Sequence, residues 1–307
     1  MGIVKKISRV IKEPAKIIVF LNNHGFYWLF SDKRYLKILF KYRLKKSLDL
    51  KAPKTFNEKM QWLKLNNRKK AYINLVDKYE VKQIISSQLG EEYVIPTIGV
   101  WKKFDEIDFE LLPEQFVLKS THDSGGLVIC KDKRSFDYLK AKVKIEKSLR
   151  RNYYWHGREW PYRYVEPRII AEPFLFDPKK PEAKSLLVYK FMCFGGVPRI
   201  VQTIQNDKTP YETIDYFDVE WNLLDLRQNF PNSEKPLCRP HSFSKMLELA
   251  TILSQGQPFL RVDFYEIDEK PIFSELTFFS DSGTASFNPT TWDQKLGDWI
   301  DFDMLER

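Results

Sequence analysis

The sequence predicts an α+β protein in which antiparallel sheets follow a mainly helical N-terminal region. Between residues 31 and 110 apolar residues recur at helical spacing, whereas from Phe116 onward short β-favouring runs alternate with helices. Several of these runs are separated only by paired glycines or by a short charged turn, which is typical of β-hairpins. A hydrophobic content of 43% and an aromatic content of 15% indicate a folded chain with a large core.

Residues 1–30 form a basic, aromatic segment that differs from the rest of the chain. Apolar residues at helical spacing in 3–11 are interleaved with lysine and arginine, and aromatic residues follow at 26–30. Such a segment is typical of a helix on an anionic membrane surface, and a helix packed on the protein body is the alternative. No apolar run approaches the ~20 residues of a bilayer span, and no cleavable signal peptide is evident. Together with three widely separated cysteines, this predicts a cytoplasmic protein, with contact at the inner face of the membrane left open.

Local signals set the ends of several elements. Thr55 precedes Glu58 at the capping-box spacing, which predicts the start of a helix. Pro96 lacks the N–H that a central strand needs, so its strand is predicted to lie at a sheet edge. Gly195 and Gly196 predict the turn of a hairpin. The predicted elements before the last hairpin are helices at 34–44, 58–63 and 74–89, strands at 94–101, 116–119 and 127–131, a helix at 135–151, strands at 168–172, 184–194 and 198–205, and a helix at 244–253.

The last two β-favouring runs, Phe259–Ile267 and residues 271–279, predict a hairpin that carries a metal site. With a three-residue turn between them, Asp263 lies directly opposite Glu275, where two like charges repel each other. Mg²⁺ removes that repulsion, because it is a hard ion that takes carboxylate oxygens. A surface hairpin with its charges in solvent is the alternative. One face of the first strand is predicted to carry Arg261, Asp263 and Tyr265, and one face of the second to carry Phe273, Glu275 and Thr277.

A loop rich in Ser, Thr and Gly at residues 120–126 is a candidate phosphate site. Its backbone N–H groups can turn toward phosphates, and Lys119, at the end of the preceding strand, can reach the same groups. An ordinary glycine hairpin is the alternative. His122 in this loop is a candidate base, and a hydrogen-bonding role is its simpler interpretation.

Two further segments also have a functional and a plain interpretation. Lys190 lies in an apolar run, where its charge needs a partner: a phosphate, Glu172 or Asp263. If that strand lies at an edge, Lys190 simply faces water. Residues 172–175 end a strand at a proline and leave backbone groups that can bind an adenine edge, or they are only a strand exit.

Several short motifs occur in one order between about residues 45 and 300. They are Pro53-Lys54-Thr55-Phe56-Asn57-Glu58-Lys59, Asp77-Lys78-Tyr79, Phe116-Val117-Leu118-Lys119 with His122 and Ser124-Gly125, Tyr189-Lys190-Phe191 with Cys193-Phe194, Arg261-Val262-Asp263-Phe264-Tyr265 with Glu275-Leu276-Thr277-Phe278, and Phe287-Asn288-Pro289 with Trp292-Asp293. In this combination they resemble the TupA-like ATP-grasp family, which is associated with surface-polymer synthesis. One departure is Thr277, which stands where many ATP-grasp enzymes have asparagine, and this leaves the number of metal ions open.

The resemblance implies an ATP-grasp fold, in which two α+β subdomains with antiparallel sheets clamp ATP with Mg²⁺. The expected division is a basic segment at 1–30, a helical region at 31–110, a small subdomain with the phosphate loop at 111–176, and a large subdomain with the metal hairpin at 177–307. The residues implied to bind ATP are Lys119, Ser120, His122, Ser124, Gly125, Gly126, Glu172, Pro173, Phe174, Leu175 and Lys190. The implied metal ligands are Asp263, Glu275 and Thr277, with Asn288 in reserve, and the implied catalytic residues are Arg261 and Lys190.

The activity that the resemblance implies is carboxylate–amine ligation through an acyl phosphate. The carboxylate is expected on an acidic sugar of a surface polysaccharide, which suits the net charge of +9, and an amino acid or other amine supplies the nitrogen. Nucleic acid is not expected as a partner, because zinc-finger spacing and RNA-binding signatures are lacking. The alternatives are a glycosyltransferase that uses Asp301 and Asp303 as an Asp-x-Asp metal motif, and a membrane-surface scaffold without catalysis.

Overall fold

The computed structural model describes residues 17–18, 21–22, 25–179, 185–207 and 209–305. The α-helices in these ranges are α1 Asp32–Leu44, α2 Phe56–Asn66, α3 Tyr72–Val76, α4 Glu80–Leu89, α5 Tyr138–Leu149, α6 Tyr154–Gly157, α7 Phe243–Ser254 and α8 Thr291–Asp298. The strands are β1 Gly99–Trp101, β2 Phe116–Ser120, β3 Leu127–Cys130, β4 Ile169–Pro173, β5 Val188–Phe194, β6 Val197–Gln205, β7 Thr213–Phe217, β8 Arg227–Gln228, β9 Phe259–Ile267, β10 Lys270–Thr277 and β11 Phe287–Asn288. The predicted α+β class, with a helical N-terminal region, is confirmed.

The N-terminal helices follow the sequence signals, except that one predicted helix is two. Thr55 and Glu58 form the capping box: the Thr55 hydroxyl accepts the Glu58 N–H at 3.3 Å, and the Glu58 carboxylate accepts the Thr55 N–H at 3.1 Å. The single helix predicted at 74–89 was wrong. The chain is extended at Asp77, whose carboxylate accepts the N–H of Tyr79 at 2.8 Å and so favours a new start.

The first sheet has four antiparallel strands in the order β1-β4-β2-β3. The strand predicted to be an edge is shorter than expected but does lie at the edge as β1. Helix α5 covers one face of the sheet, where Ala141 and Ile145 pack with Phe116 and Leu118. Residues alternate between the faces of a strand, so Lys119 is placed on the face away from α5.

The second sheet has five antiparallel strands in the order β10-β9-β5-β6-β7. Helix α7 packs on this sheet, and its Phe243 and Met246 share a buried cluster with Phe191 and Val262. The predicted hairpin around the two glycines is confirmed as β5 and β6. The sequence analysis missed β7, in which the fully buried Asp215 hides the apolar pattern of a strand.

In the β9–β10 hairpin Asp263 pairs with Glu275 as predicted, but the turn and the register before this pair differ from the prediction. The predicted three-residue turn was wrong: Lys270 pairs with Ile267, and the turn has two residues that both adopt left-handed conformations. The register then shifts between Phe273 and Glu275, and this bulge places Glu275 opposite Asp263 after all. Because of the bulge, Phe273 turns into the core, so the prediction that it shares a face with Glu275 was also wrong.

The segment predicted to contact a membrane, residues 1–30, lies mostly outside the described residues, including the whole of 3–11. In its described part, Phe26, Trp28 and Leu29 are exposed. None of the helices in the described ranges combines the length and the apolarity that a bilayer span requires. The domain boundaries expected at residues 30, 110 and 176 stay predictions.

Candidate nucleotide and metal site

A cavity of about 530 Å³ lies between the two sheets. This volume falls within the range of roughly 300–1,000 Å³ that is usual for small-molecule pockets. One wall is the face of the first sheet opposite α5, and the other comes from β5 and β9. The described residues that line it are Ile95, Gln115, Val117, Lys119, Leu127, Ile129, Lys131, Glu172, Pro173, Phe174, Leu175, Phe176, Asp177, Ser185, Leu186, Leu187, Val188, Asp207, Tyr265 and Glu266. The residues expected to hold adenine, 172–175, therefore lie on the wall of a cavity that also contains Lys119.

Glu172 is buried in this wall and is held by two lysines. Its carboxylate forms ion pairs with Lys119 of β2 and Lys82 of α4. Burial opposes the charge of Glu172, but the two ammonium groups outweigh it and hold the pKa of Glu172 below its ordinary value. Burial also opposes the charge of Lys119, yet Glu172, Tyr265 and Glu275 outweigh it and raise the pKa of Lys119. Lys119 therefore presents a fixed positive charge to the cavity.

The predicted phosphate loop, residues 120–126, is a tight connection between β2 and β3. It is closed by the N–H of Ser120, which donates to the carbonyl of Gly126 at 2.9 Å. Ser124 and Gly125 are exposed at its tip, and Gly125 has a φ of +96°, which favours glycine. These two residues are the exposed part of the loop.

His122 of this loop faces the protein interior. It is buried, and its Nε2 lies 2.9 Å from the carbonyl oxygen of Arg151. Burial lowers the pKa of His122 and favours the neutral ring. The neighbouring Asp123 is buried too and accepts hydrogen bonds from Arg151 and from the hydroxyl of Ser148. These contacts give His122 the hydrogen-bonding role that was its simpler interpretation.

Lys190, Arg261 and Asp263 form an ion cluster on the second sheet, in which Arg261 and Asp263 are buried and Lys190 is partly exposed. Nε and Nη2 of Arg261 each donate to one oxygen of Asp263 at 2.8 Å. Nζ of Lys190 lies 3.3 Å from Oδ2 of Asp263, since the two residues are cross-strand partners on β5 and β9. Of the partners left open for Lys190, the structure shows Asp263. Burial opposes the charge of Asp263, but Arg261 and Lys190 outweigh it and hold its pKa below the ordinary value.

Glu275 lies opposite Asp263, as predicted, and Arg261 connects the two carboxylates. Nη2 of Arg261 donates to Oε1 of Glu275 at 3.2 Å, and the hydroxyl of Thr277 lies 3.5 Å from the same oxygen. A guanidinium therefore relieves the repulsion within the protein alone, so the register by itself does not require a metal. The Glu275 side chain is 42% exposed, whereas Asp263 is buried, so Glu275 is the accessible carboxylate of the pair.

Strand β9 shows in which direction the site extends from the cavity. Tyr265 lines the cavity, and Asp263 and Arg261 follow on the same face of the strand. Each step of two residues advances about 7 Å along a strand. The polar end of a nucleotide whose base lies beside 172–175 would therefore extend along β9 toward Asp263 and Glu275.

The carboxylates fit a magnesium ion that is held jointly with a nucleotide. Within the described ranges, no group of three or more His, Cys, Asp or Glu residues could hold a metal alone. Mg²⁺, however, is usually bound by one or two carboxylates together with substrate phosphates. Asp263 and Glu275 supply two such groups, and each carboxylate oxygen that accepts from Arg261 keeps a second lone pair. The positive charges of Lys190 and Arg261 already balance the two carboxylates. The negative charge of a bound triphosphate would therefore need an added cation.

The structure also places Asn288, the spare metal candidate, and the Asp-x-Asp motif of the alternative glycosyltransferase function. Asn288 is exposed on β11, where it pairs with Arg227 of β8. Asp301 accepts the N–H of Asp303 at 2.9 Å, so the Asp-x-Asp pair forms a local turn.

The sequence analysis missed Lys82, because its partner Glu172 is ninety residues further along the chain.

The fold is similar to those of solved amino-acid ligases. D-alanine–D-alanine ligase from Bacillus anthracis complexed with ATP is 15% identical, with a TM-score of 0.45 over 76% of this chain and 66% of that one. D-alanine–D-alanine ligase from Helicobacter pylori is 14% identical, with a TM-score of 0.42 over 80% of this chain and 69% of that one. VanG D-Ala:D-Ser ligase from Enterococcus faecalis is 13% identical, with a TM-score of 0.40 over 72% of this chain and 54% of that one. The chain thus spans about two thirds of the length of the first of these ligases. No curated protein matches the sequence.

The family model described as TupA-like ATPgrasp matches residues 58–301, which is most of the chain. The match contains both sheets, the loop at 120–126 and the β9–β10 hairpin. ATP-grasp proteins use ATP with Mg²⁺, the two cofactors expected from the sequence motifs. The ATP-grasp fold is confirmed, and the chain belongs to the TupA-like ATP-grasp family.

Proposed function

We propose that this protein is an ATP-dependent carboxylate–amine ligase that works through an acyl phosphate. The observation that carries the proposal is the convergence of three cations and two carboxylates beside a cavity of nucleotide size. Lys119 lies in the cavity wall, and Lys190 and Arg261 lie on β5 and β9 with Asp263 and Glu275. Such a set can position a triphosphate and neutralise the charge that develops in phosphoryl transfer.

The reaction needs positioning more than it needs a protein nucleophile. A carboxylate oxygen of the acceptor attacks the γ-phosphorus, and the bond to the bridging oxygen breaks with release of ADP. The amine then attacks the acyl carbon, phosphate leaves with the electrons of the carbon–oxygen bond, and the nitrogen loses a proton. Lys119 and Lys190 hold phosphate oxygens, and Arg261 faces the transferring group. Asp263 and Glu275 would hold Mg²⁺, which when bound would neutralise negative charge at the phosphates.

The acceptor that we propose is an acidic sugar of a bacterial surface polysaccharide, with an amino acid or other amine as the second substrate. The net charge of +9 and a pI near 9.2 support a polyanionic acceptor, because a basic surface raises the local concentration of anions. The role in surface-polymer synthesis is an expectation from the resemblance to the TupA-like ATP-grasp family.

A direct assay tests this proposal. The protein is incubated with Mg·ATP, pooled uronic acids and pooled amines, and products are analysed by mass spectrometry. We expect ADP and phosphate, together with a product whose mass is the sum of one acid and one amine less one water. Matched sugars in which the carboxylate is reduced to an alcohol should give no product. Formation of AMP, or a product from the reduced sugars, would contradict the acyl phosphate route.

We also propose that the protein acts in the cytoplasm at the inner face of the membrane. The exposed Phe26, Trp28 and Leu29, together with the lysines and arginines of 1–30, support contact with anionic lipid. Sedimentation with vesicles tests this contact. We expect the protein to pellet with phosphatidylglycerol vesicles, less so in high salt, and not with phosphatidylcholine vesicles. Equal behaviour with both lipids would be evidence against an electrostatic membrane contact.

A further inference from the structure

A glutamine on the second sheet has a side-chain amide that the protein itself does not use. Gln202 of β6 is 7% exposed, and none of the residues that the structure describes forms a hydrogen bond with this amide. In the same described ranges, the polar atoms that lack both a partner and contact with solvent include the hydroxyl of Thr203 but neither amide atom of Gln202. The amide is therefore within reach of a ligand, and its N–H donors and its acceptor oxygen would gain hydrogen bonds from one.

The strand register places Gln202 beside the ion cluster. Residues that pair directly on neighbouring strands point to the same face of a sheet. Gln202 pairs with Lys190 of β5, and Lys190 pairs with Asp263 of β9. On its other side, Gln202 pairs with Tyr216 of β7. Gln202 therefore shares the face of Lys190 and Asp263, and its strand lies about 5 Å from that of Lys190.

A chain of hydrogen bonds extends the polar surface from the other side of the ion cluster. Nη1 of Arg261 donates to the hydroxyl of Ser280 at 3.3 Å, and that hydroxyl donates to Oδ2 of Asp281 at 3.4 Å. Oδ1 of Asp281 accepts from the amide of Asn229 at 3.2 Å. Asp281 and Asn229 are both exposed. The polar surface that starts at Arg261 therefore continues to solvent.

This chain of hydrogen bonds leads back to Gln202 through Tyr216. The hydroxyl of Tyr216 donates at 3.1 Å to Oε1 of Gln228, the residue before Asn229. Since Tyr216 pairs with Gln202, the contacts run from the ion cluster through the exposed groups and return to the glutamine. The surface they outline is cationic at one end, and at the other end it carries two neutral amides and one carboxylate. These are the side chains of Gln202, Asn229 and Asp281.

We propose that Gln202 binds a hydroxyl group of the acceptor and thereby selects hydroxylated acids, such as sugar acids, over plain carboxylic acids. This assignment rests on the proposed ligase function, in which the acceptor carboxylate reacts beside Lys190 and Arg261. An amide can donate to one hydroxyl and accept from another, whereas the two cations can only donate. A strand separation of about 5 Å fits a hydroxyl roughly two or three carbons from the carboxyl carbon, as on the ring of a uronic acid.

The surroundings of Gln202 also argue against the other substrate. The amine substrate is a cation before it reacts, and the ammonium of Lys190 on the neighbouring strand would repel it. A site that is built to hydrogen-bond a hydroxyl group rejects an analogue that lacks it, because the buried polar group is then left without a partner. Gln202 is therefore assigned a role in specificity for the acceptor and not in the chemical step.

Two kinds of acid probe this selection. Calorimetry with the full-length protein saturated with Mg·ADP compares glucuronate, galacturonate and mannuronate with cyclohexanecarboxylate, which has a carboxylate on a ring of the same size but no hydroxyl group. We expect at least one uronate to bind about tenfold more tightly than cyclohexanecarboxylate, the usual effect of one hydrogen bond to a buried group. In Gln202→Met, whose side chain has a similar length, this preference should fall to about twofold or less, with the affinity for cyclohexanecarboxylate within about twofold of wild type. Gln205→Met, on the opposite face of the same strand, should keep the wild-type preference.

The outcomes separate this assignment from the proposed function. Absence of Mg·ADP binding by the wild-type protein would overturn both. Normal Mg·ADP binding without binding of any uronate, or with equal affinity for uronates and cyclohexanecarboxylate, would overturn only the role of Gln202. A Gln202→Met protein that keeps the wild-type preference would do the same. Parallel loss of affinity for both kinds of acid, together with a lowered melting temperature, would show a structural role and would also overturn the assignment.

Discussion

Replacing Asp263 by asparagine should lower Mg·ATP turnover by about three orders of magnitude, as expected when a preorganised charge is removed from a phosphoryl-transfer site. The substitution removes a carboxylate that accepts two hydrogen bonds from Arg261 and one ion pair from Lys190. It also leaves those two cations with one fewer negative charge to balance them. The affinity for ATP should therefore rise when no metal is present, and it should no longer rise further when Mg²⁺ is added.

In EDTA, Asp263→Asn should bind ATP more tightly than wild type, because the site has gained one unit of net positive charge. With Mg²⁺, the gain in ATP affinity that wild type shows should be absent. Fluorescence or calorimetric titrations with and without Mg²⁺ measure both effects. Glu275→Gln should share the loss of metal dependence, whereas Glu269→Gln, at the tip of the same hairpin, should behave as wild type. A folded Asp263→Asn protein with full turnover and normal Mg²⁺ dependence would rule out the metal site.

The sequence could predict the pairing of Asp263 with Glu275 but not how it arises. Alternation of side chains along two β-favouring runs limits the register to a few choices, since one face must be buried. The turn length was wrong by one residue, and the bulge before Glu275 compensated for it. A bulge has no local signal in these residues, because Phe273 and Ser274 suit a regular strand equally well.

The contacts that the sequence could not predict are those between residues far apart in the chain. Lys82 and Glu172 come from different elements and meet only when α4 packs beside β4. Lys78 and the loop at 120–126 are brought together in the same way, although Asp77-Lys78-Tyr79 stood out as a motif. A motif shows that residue types belong together, but it does not show which atom each one contacts. Lys190 and Asp263 are also far apart in the chain. The sequence left Asp263 as one of three possible partners, and the pairing of β5 with β9 places the two residues opposite each other.

Lys64→Met should lower the free energy of unfolding by about 4 kcal/mol, because it removes a buried cation and the hydrogen bonds that it donates to buried acceptors. The Lys64 ammonium is fully buried and donates to the carbonyls of Gly157 and Ser282, each at 2.8 Å. The buried Glu159 carboxylate counters the burial of Lys64 by electrostatic attraction. A methionine of similar length removes the attraction between Lys64 and Glu159 and leaves the carbonyl of Gly157 without the Lys64 donor, whereas the carbonyl of Ser282 keeps the side-chain amide of Gln61 at 2.9 Å. Urea denaturation followed by circular dichroism measures the loss.

A double-mutant cycle distinguishes electrostatic attraction between Lys64 and Glu159 from simple loss of packing. Glu159→Gln in the Lys64→Met background should recover part of the stability, because it removes the uncompensated charge. Lys69→Met, at an exposed position, should change stability by less than about 0.5 kcal/mol. If the double variant instead loses the sum of the two single effects, the lysine and the glutamate act independently, and their electrostatic attraction is not the reason for the loss of stability.

The same lysine matters for the candidate site because of the loop that it holds. In Ser280–Gly283, Asp281 and Ser282 have φ values of +47° and +54°, which cost about 1–3 kcal/mol each for residues other than glycine. Such a conformation persists only where its surroundings fix it, and Lys64 binds both the carbonyl and the hydroxyl of Ser282. Ser280, at the start of the loop, lies 3.3 Å from Nη1 of Arg261. Lys64→Met should therefore also disturb Arg261, and under conditions where the variant is still folded its turnover should fall while Lys69→Met keeps that of wild type.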